Sequence, residues 1–227
     1  MLHDKNSVKD YGHRKRHHAN GLRAIQESHI HPHGCRRYTV RHMSVVISLL
    51  RGVNVVGRNK IKMEGLRALY EANGLRDVQT YIQSGNVVFR TKGTPGAGLA
   101  QRIEAAIEKS QGFRPSVMIR TTAELRSVIK RNPFAGRSDI EPSKLIVLFL
   151  NGKPTRDGCE KVRAIQANFP EEVHCDGLEV FFFFPEGMGL SKLPMAKIEK
   201  ALGFSGTARN WNTVTKLLEM AEKLEGA

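Results

Sequence analysis

Apolar positions fall into a regular order only from residue 43 onward. Residues 44–50 form a short apolar run closed by Arg51-Gly52, the pattern of a strand. Met63, Leu66, Leu69 and Tyr70 recur at helical spacing, and Gly74 stands where such a helix would stop. Residues 77–83 and 87–91 predict two strands about a Ser84-Gly85-Asn86 turn. Past a loop holding Pro95, Leu99, Ile103, Ala106 and Ile107 predict a second helix, and residues 115–120 a fourth strand. The order βαββαβ is that of the ferredoxin-like split βαβ unit.

The pattern then runs through a looser second round. Thr121-x-x-Glu124 is a capping box opening a short helix that Asn132-Pro133 ends. Residues 144–151 read as a strand, 156–167 as a weak helix, 173–175 as a poor strand and 179–184 as a strong one. Ser191 is the expected cap of a helix to Leu202, with Gly203 as its stop. From about Trp211, the residues Val214, Leu217, Leu218, Ala221 and Leu224 form the clearest amphipathic stripe in the chain. The expected fold class is therefore α+β, a ferredoxin-like half over 43–121 followed by a second α/β half over 122–227. Residues 45–50, 145–150 and 181–184 are apolar on both faces, so these strands should be central and covered twice. The two halves are thus expected to bury each other's sheets; a homodimer would be the other way to cover them.

Composition sets the first 42 residues apart. They carry nine Lys/Arg against three Asp/Glu and eight of the nine histidines, without apolar periodicity. Such a segment buries too little to offset its ordering entropy and reads as a disordered basic leader. Met43 is an alternative start. His29-x-His31-x-His33-Gly-Cys35 holds zinc- or copper-type ligands, but no second cluster completes a structural site, so no metal is assigned. Three cysteines are too few for a disulfide framework, and no apolar stretch approaches ~20 residues, so a cytoplasmic protein without membrane contact or cofactor is expected. His174 is the only histidine after residue 42, which removes a Ser-His-Asp triad or two-histidine metal site from that part. Cys159 and Cys175 read as inert thiols.

The net charge of +14 makes an anionic ligand the leading candidate. The loop 51–62 places Arg51, Asn54, Arg58, Asn59 and Lys60 with two glycines between a strand and a helix. Turned backbone amides and a helix N-terminus there suit phosphate. Residues 207–213 add Arg209, Asn210, Trp211 and Asn212 ahead of the last helix, and the 81–86 turn adds Gln83 and Asn86. Trp211 is most simply a packing anchor, and Asn210 or Asn212 a helix cap.

These motifs resemble a known family. Residues 50–60 with Met63-x-x-Leu66-Arg67, residues 80–89, Asn132-Pro-Phe134 and residues 207–217 are similar to signatures of the uncharacterised bacterial family called domain of unknown function 1697. Val56 stands where the family commonly has a second glycine. The resemblance implies a ferredoxin-like α+β architecture and a bacterial cytosolic setting, and it brings no activity, ligand or catalytic residue. Three functions stay open on the residues: a binder of a phosphorylated small molecule or nucleic acid, an acylphosphatase-like phosphohydrolase using Arg51 and Asn86, and a protein-interaction module.

Overall fold

The computed structural model describes residues 43–96 and 98–227; the His29–Cys35 cluster and the Met43-start question fall on residues outside these. Eight strands and six helices follow in the order β1 (Met43–Leu50), α1 (Met63–Ala72), β2 (Arg76–Tyr81), β3 (Asn86–Lys92), α2 (Gly98–Gln111), β4 (Val117–Thr121), α3 (Thr122–Lys130), β5 (Leu145–Leu150), α4 (Arg156–Gln166), β6 (Glu172–Asp176), β7 (Glu179–Phe183), α5 (Met195–Leu202), β8 (Gly206–Asn210) and α6 (Trp211–Glu225). They make two antiparallel sheets of four strands, ordered β2-β3-β1-β4 and β6-β7-β5-β8. Each is the sheet of a βαββαβ unit, so the second half repeats the topology of the first. The expected α+β class holds.

Alternation along the central strands decides what each sheet covers. In β1, Val45, Ile47 and Leu49 enter a core that also holds Val147 and Phe149 of β5 and Phe181 and Phe183 of β7. Val46 and Leu50 point the other way, toward Tyr70 of α1 and Ile103 and Ile107 of α2. Ile146, Leu148 and Phe182 do the same beneath Val162 of α4 and Ile198 of α5. The two sheets therefore share one inner core and each carries a helical layer outside. α3 and α6 close the inner core with Leu125 and Val128, and with Val214, Leu217, Ala221 and Leu224. This covers the doubly apolar strands within one chain, without a second copy.

Local signals match in detail. Thr121 accepts from the Glu124 amide while the Glu124 side chain takes the Thr121 amide, a complete capping box. Asn210 caps α6 by accepting from the Thr213 N–H at 2.9 Å. Gly203 ends α5 at φ +74. Two expectations are corrected. Ser191 does not cap α5, which begins four residues later; its hydroxyl donates to Glu171 and accepts from the Leu193 amide. Strand β8 was not expected, because Gly-Thr-Ala-Arg-Asn has little strand propensity. Gly206 is required there by packing: a Cβ would lie 2.7 Å from Leu148 Cδ1 and 2.9 Å from Leu150 Cδ2. No helix of the described residues is long and apolar enough to cross a membrane.

Candidate functional site

The duplicated topology supplies an internal standard for what the fold needs. In the second half, residues 151–155 suffice to connect β5 to α4, and residues 177–178 join β6 to β7. In the first half, the same connections take residues 51–62 and 82–85. These two longer connections stand at the same end of the first half, where Asn54 of one donates to the Gln83 carbonyl of the other.

Four non-glycine residues of these loops adopt positive φ, Asn54 at 55°, Val56 at 44°, Asn59 at 50° and Ile82 at 48°; among the described residues the one other is Asp77 (52°), at the register shift of β2. Asparagine tolerates this region; β-branched valine and isoleucine are strained in it by roughly 1–2 kcal/mol. Val56 is nevertheless 94% exposed, so packing does not force the strain. Hydrogen bonds do. Asn54 donates through Nδ2 to the carbonyls of Ile61 (3.0 Å) and Gln83 (2.9 Å) and accepts from the Ile61 amide at 2.9 Å. Asn59 donates to the Gly52 carbonyl at 2.9 Å, and the Asn54 amide reaches the Asn59 carbonyl at 3.1 Å. Gly85, at φ +73, lets the hairpin approach so closely that a Cβ would lie 2.5 Å from Val53 Cγ2.

Beneath this loop lies a cleft of ≈ 1050 Å³, lined by Asn54, Gly57, Lys60, Ile61, Lys62, Met63, Glu64, Gly65, Gln83 and Gln111. The first helical hydrogen bond of α1 runs from the Leu66 amide to the Lys62 carbonyl at 2.9 Å. Lys62 offers no side-chain cap, so the amides of Met63, Glu64 and Gly65 have no acceptor among the described residues. Arg58, Lys60 and Lys62 are exposed and make no ion pair among the described residues. Lysines at an uncapped N-terminus add positive charge where the helix dipole is already positive, an arrangement that an anion relieves.

The residues singled out in the sequence divide into four groups. Asn54, Lys60 and Gln83 line the cleft, while Arg58 and Asn59 belong to the loop that roofs it. Arg51 leaves the cleft and pairs with Glu199 of α5 at 2.8 Å. Asn86 and Arg209 meet one another in the interior, at 0% and 7% exposure. All five Arg209 N–H groups donate within the fold, to Asn86 Oδ1, Thr207 Oγ1, the Ala208 carbonyl (2.7 Å), the Leu50 carbonyl (2.9 Å) and the Ser84 carbonyl (2.8 Å). Among the described residues no carboxylate answers this guanidinium, and burial lowers its pKa to about 10. Asn210 caps α6 beside Ile146, at the other end of β8 from Gly206, and Asn212 is exposed in the first turn of α6. Residues 207–209 thus touch the root of the loop at Leu50 without opening into the cleft. Lys62 and Gln111 complete the lining; nothing in the sequence brings Gln111 there, since only the antiparallel run of α1 and α2 sets the end of one beside the start of the other.

The acylphosphatase-like arrangement is not formed by these residues. Asn86 Nδ2 donates to the Tyr81 carbonyl (3.0 Å) and Ser84 Oγ (2.9 Å) while its oxygen takes Arg209, which leaves no group to orient a water. Cys159 and Cys175 are half-buried free thiols, and burial first, then Cys159, pushes the Cys175 thiol up to about 12.

Residues 43–181 match the family model described as protein of unknown function, DUF1697. The chain belongs to this family. The DUF1697 match takes in loop 51–62, the 82–85 hairpin and both helices of the cleft, and ends before Thr207. A solved structure of conserved bacterial protein SP0830 from Streptococcus pneumoniae is similar to this DUF1697 chain at 24% identity and a TM-score of 0.61. The likeness covers 79% of this chain and 99% of that one, and shows a shared fold. No curated protein matches the chain.

Proposed function

We propose that this DUF1697 protein binds a phosphate-bearing ligand in the cleft between loop 51–62 and the start of α1. The observation that carries the reading is the uncapped α1 N-terminus with Lys60 and Lys62 beside it, roofed by a loop that the duplicate half does without. Three amides without acceptors and two ammonium groups without ion pairs among the described residues border one opening, with Glu64 as the one carboxylate in its lining, and Gln83 and Gln111 add neutral donors. Asn54, Asn59, Asn86 and Arg209 act one step back: they hold the loop and hairpin in register so that the amides keep their aim. The ligand class that fits this charge pattern spans phosphorylated small molecules, nucleotides and the backbone of nucleic acid.

The test is a titration of the ¹⁵N-labelled protein with inorganic phosphate, AMP and a short oligonucleotide. Binding should move the amide signals of Met63, Glu64 and Gly65 first. Lys60→Gln together with Lys62→Gln should weaken it by at least about tenfold, the loss of two charge-assisted contacts. Signals that stay still with all three probes, or shifts that survive the double substitution, would remove the site.

A further inference from the structure

Strand β4 ends the first sheet, and all five of its residues line a cleft of ≈ 640 Å³. Gln101 of α2 and Asn151 and Leu178 of the second half line it too. Hydrogen-bond alternation settles which main-chain groups of β4 lie on its free edge. The Arg51 amide donates to the Ser116 carbonyl at 2.9 Å, so Ser116, Met118 and Arg120 turn toward β1 while Val117, Ile119 and Thr121 turn outward. Side chains close most of this edge, as an unpaired edge requires. Glu104 takes the Val117 N–H at 2.9 Å, Glu124 takes the Thr121 N–H at 2.7 Å, and Arg120 Nη1 donates to the Ile119 carbonyl at 2.9 Å. Glu104 also lines the cleft, so the edge, and not only a face of the strand, borders it.

Two main-chain groups are left over. The Val117 carbonyl and the Ile119 N–H have no partner among the described residues. A third free group belongs to Arg120, which is only 4% exposed. Its Nε donates to Glu179 and its Nη2 to the Leu150 and Leu178 carbonyls, so with Nη1 on Ile119 the second Nη1 N–H has no acceptor among the described residues. In Arg209 both Nη1 N–H groups are answered, one by Thr207 Oγ1; Met118 holds the matching place in β4 and offers no oxygen. A carbonyl and an N–H two residues apart on one edge are what a single residue of a parallel strand satisfies; an antiparallel strand needs both groups on one residue. Glu104 and Glu124 occupy the N–H groups on either side, so the free pattern admits one such residue and no longer ladder.

Charge decides what kind of backbone fits. Glu104 and Glu124 are the carboxylates of the lining, and its one cation, Arg120, is already paired with Glu179. A chain-end carboxylate would meet a net negative wall, whereas an internal segment, neutral or lysine-bearing, would not. We propose that this cleft binds an extended internal segment of a partner protein's chain, one residue of which lies parallel to β4 opposite Met118. That residue gives its N–H to the Val117 carbonyl and takes the Ile119 N–H on its own carbonyl, and the spare Arg120 N–H is left for a further carbonyl of the segment. The mode is strand addition shortened to one residue, in a cleft of small-ligand size. The site is separate from the anion cleft, and neither depends on the other.

Titration of the ¹⁵N-labelled full chain with the peptide acetyl-Lys-Val-Thr-Val-Lys-amide tests this. The Ile119 amide signal should move and its exchange with solvent should slow, while the amides of β2 stay still. An analogue N-methylated at the central residues should bind at least about tenfold more weakly, having lost its backbone donors. Ile119→Pro deletes the outward N–H without touching the ladder to β1, and should weaken the peptide by a similar factor. Gln101→Trp fills the cleft from an exposed position of α2 and should give the same loss if the proline variant folds poorly. A nitroxide in place of the acetyl group should broaden the Val117 signal more than that of Thr121. An unmoved Ile119 signal, or equal binding by the N-methylated analogue, would overturn the site. Broadening in the reverse order would overturn the parallel direction. Tighter binding by the same sequence ending in a free carboxylate would overturn the internal segment as the occupant.

Discussion

Arg120 of β4 and Arg209 of β8 make the same reach in opposite directions across the two halves. Arg120 donates to the Leu150 carbonyl at the end of β5 (3.1 Å), and Arg209 to the Leu50 carbonyl at the end of β1 (2.9 Å). Each also turns a second N–H back onto its own strand, at Ile119 and Ala208. They differ in the group that answers the charge. Arg120 meets Glu179 at 2.8 Å, both nearly fully buried, whereas Arg209 meets the neutral amide of Asn86.

That difference predicts unequal losses from equal substitutions. Arg120→Met strands the Glu179 carboxylate, left with the partly exposed Arg131 at 2.9 Å, and should cost about 3–5 kcal/mol. Arg209→Met strands only neutral acceptors and should cost about 1–3 kcal/mol. Urea denaturation of the two variants gives the comparison, and the reverse ranking would show that the buried cation, not the buried pair, is the greater stabiliser.

Asn86 itself explains why no carboxylate stands there. Its amide must accept from Arg209 and donate to the Tyr81 carbonyl at 3.0 Å, which closes the longer hairpin. Asn86→Asp would set an oxygen against that carbonyl. Despite facing a guanidinium, it should destabilise by about 1–3 kcal/mol, measured by the same denaturation. A stabilised Asn86→Asp protein would mean that the hairpin can release Tyr81.

The loop should answer to backbone strain and to its tether separately. Val56→Gly releases a valine held at φ 44°, which should raise stability by up to about 1 kcal/mol after the entropy of the freer unfolded chain is counted. Asn54→Ala removes three hydrogen bonds and should cost about 2 kcal/mol. Amide exchange should then quicken across residues 51–62 and hardly change in β5–α4. Unchanged exchange in the loop would mean that Asn54 is not its tether.

Alkaline pH should weaken the fold through Tyr70. Burial beneath the first sheet holds its phenol well above the usual tyrosine range, the hydrogen bond with Ser48 (2.9 Å) opposing this only in part. The unfolded chain releases this proton near pH 10 and the folded chain keeps it, so stability is whole below pH 10 and falls as pH rises past it. Tyr70→Phe should flatten that decline relative to its own stability at pH 8. Ultraviolet titration should show one of the four tyrosines ionising only on unfolding. Four phenols titrating together in folded protein would contradict the burial.

The sequence made most of the architecture legible, because period-2 and period-3.6 patterns follow directly from which faces are buried. The doubly apolar strands even told that the sheets would cover each other, as Val45 and Val46 do on opposite sides of β1. Strand β8 escaped because its residues are chosen for reach and closeness, Arg209 and Gly206, and not for strand propensity. The site was half visible. A run of Asn, Gly, Lys and Arg marks an unusual loop, but it does not say which side chains face outward. Asn54 and Asn59 look like ligand donors in one dimension and prove to be the loop's own fastenings. Gln111, the last residue of α2, carries no mark at all until α2 lies beside α1.

The inner core has a consequence for synthesis. Val45, Ile47, Leu49, Val88 and Met118 leave the ribosome with only Leu125 and Val128 of α3 to cover them until the strands beginning at Leu145 arrive, and the lid formed by α6 comes last. At ~5–20 residues per second that delay is on the order of 5–20 s. Throughout it, most of the inner face of the first sheet stays uncovered, and exposed apolar surface of this kind favours association. A fragment ending after Lys130 should aggregate alone and be rescued by the missing half supplied in trans, whereas a soluble, monomeric fragment would show that the first sheet can shelter its own inner face.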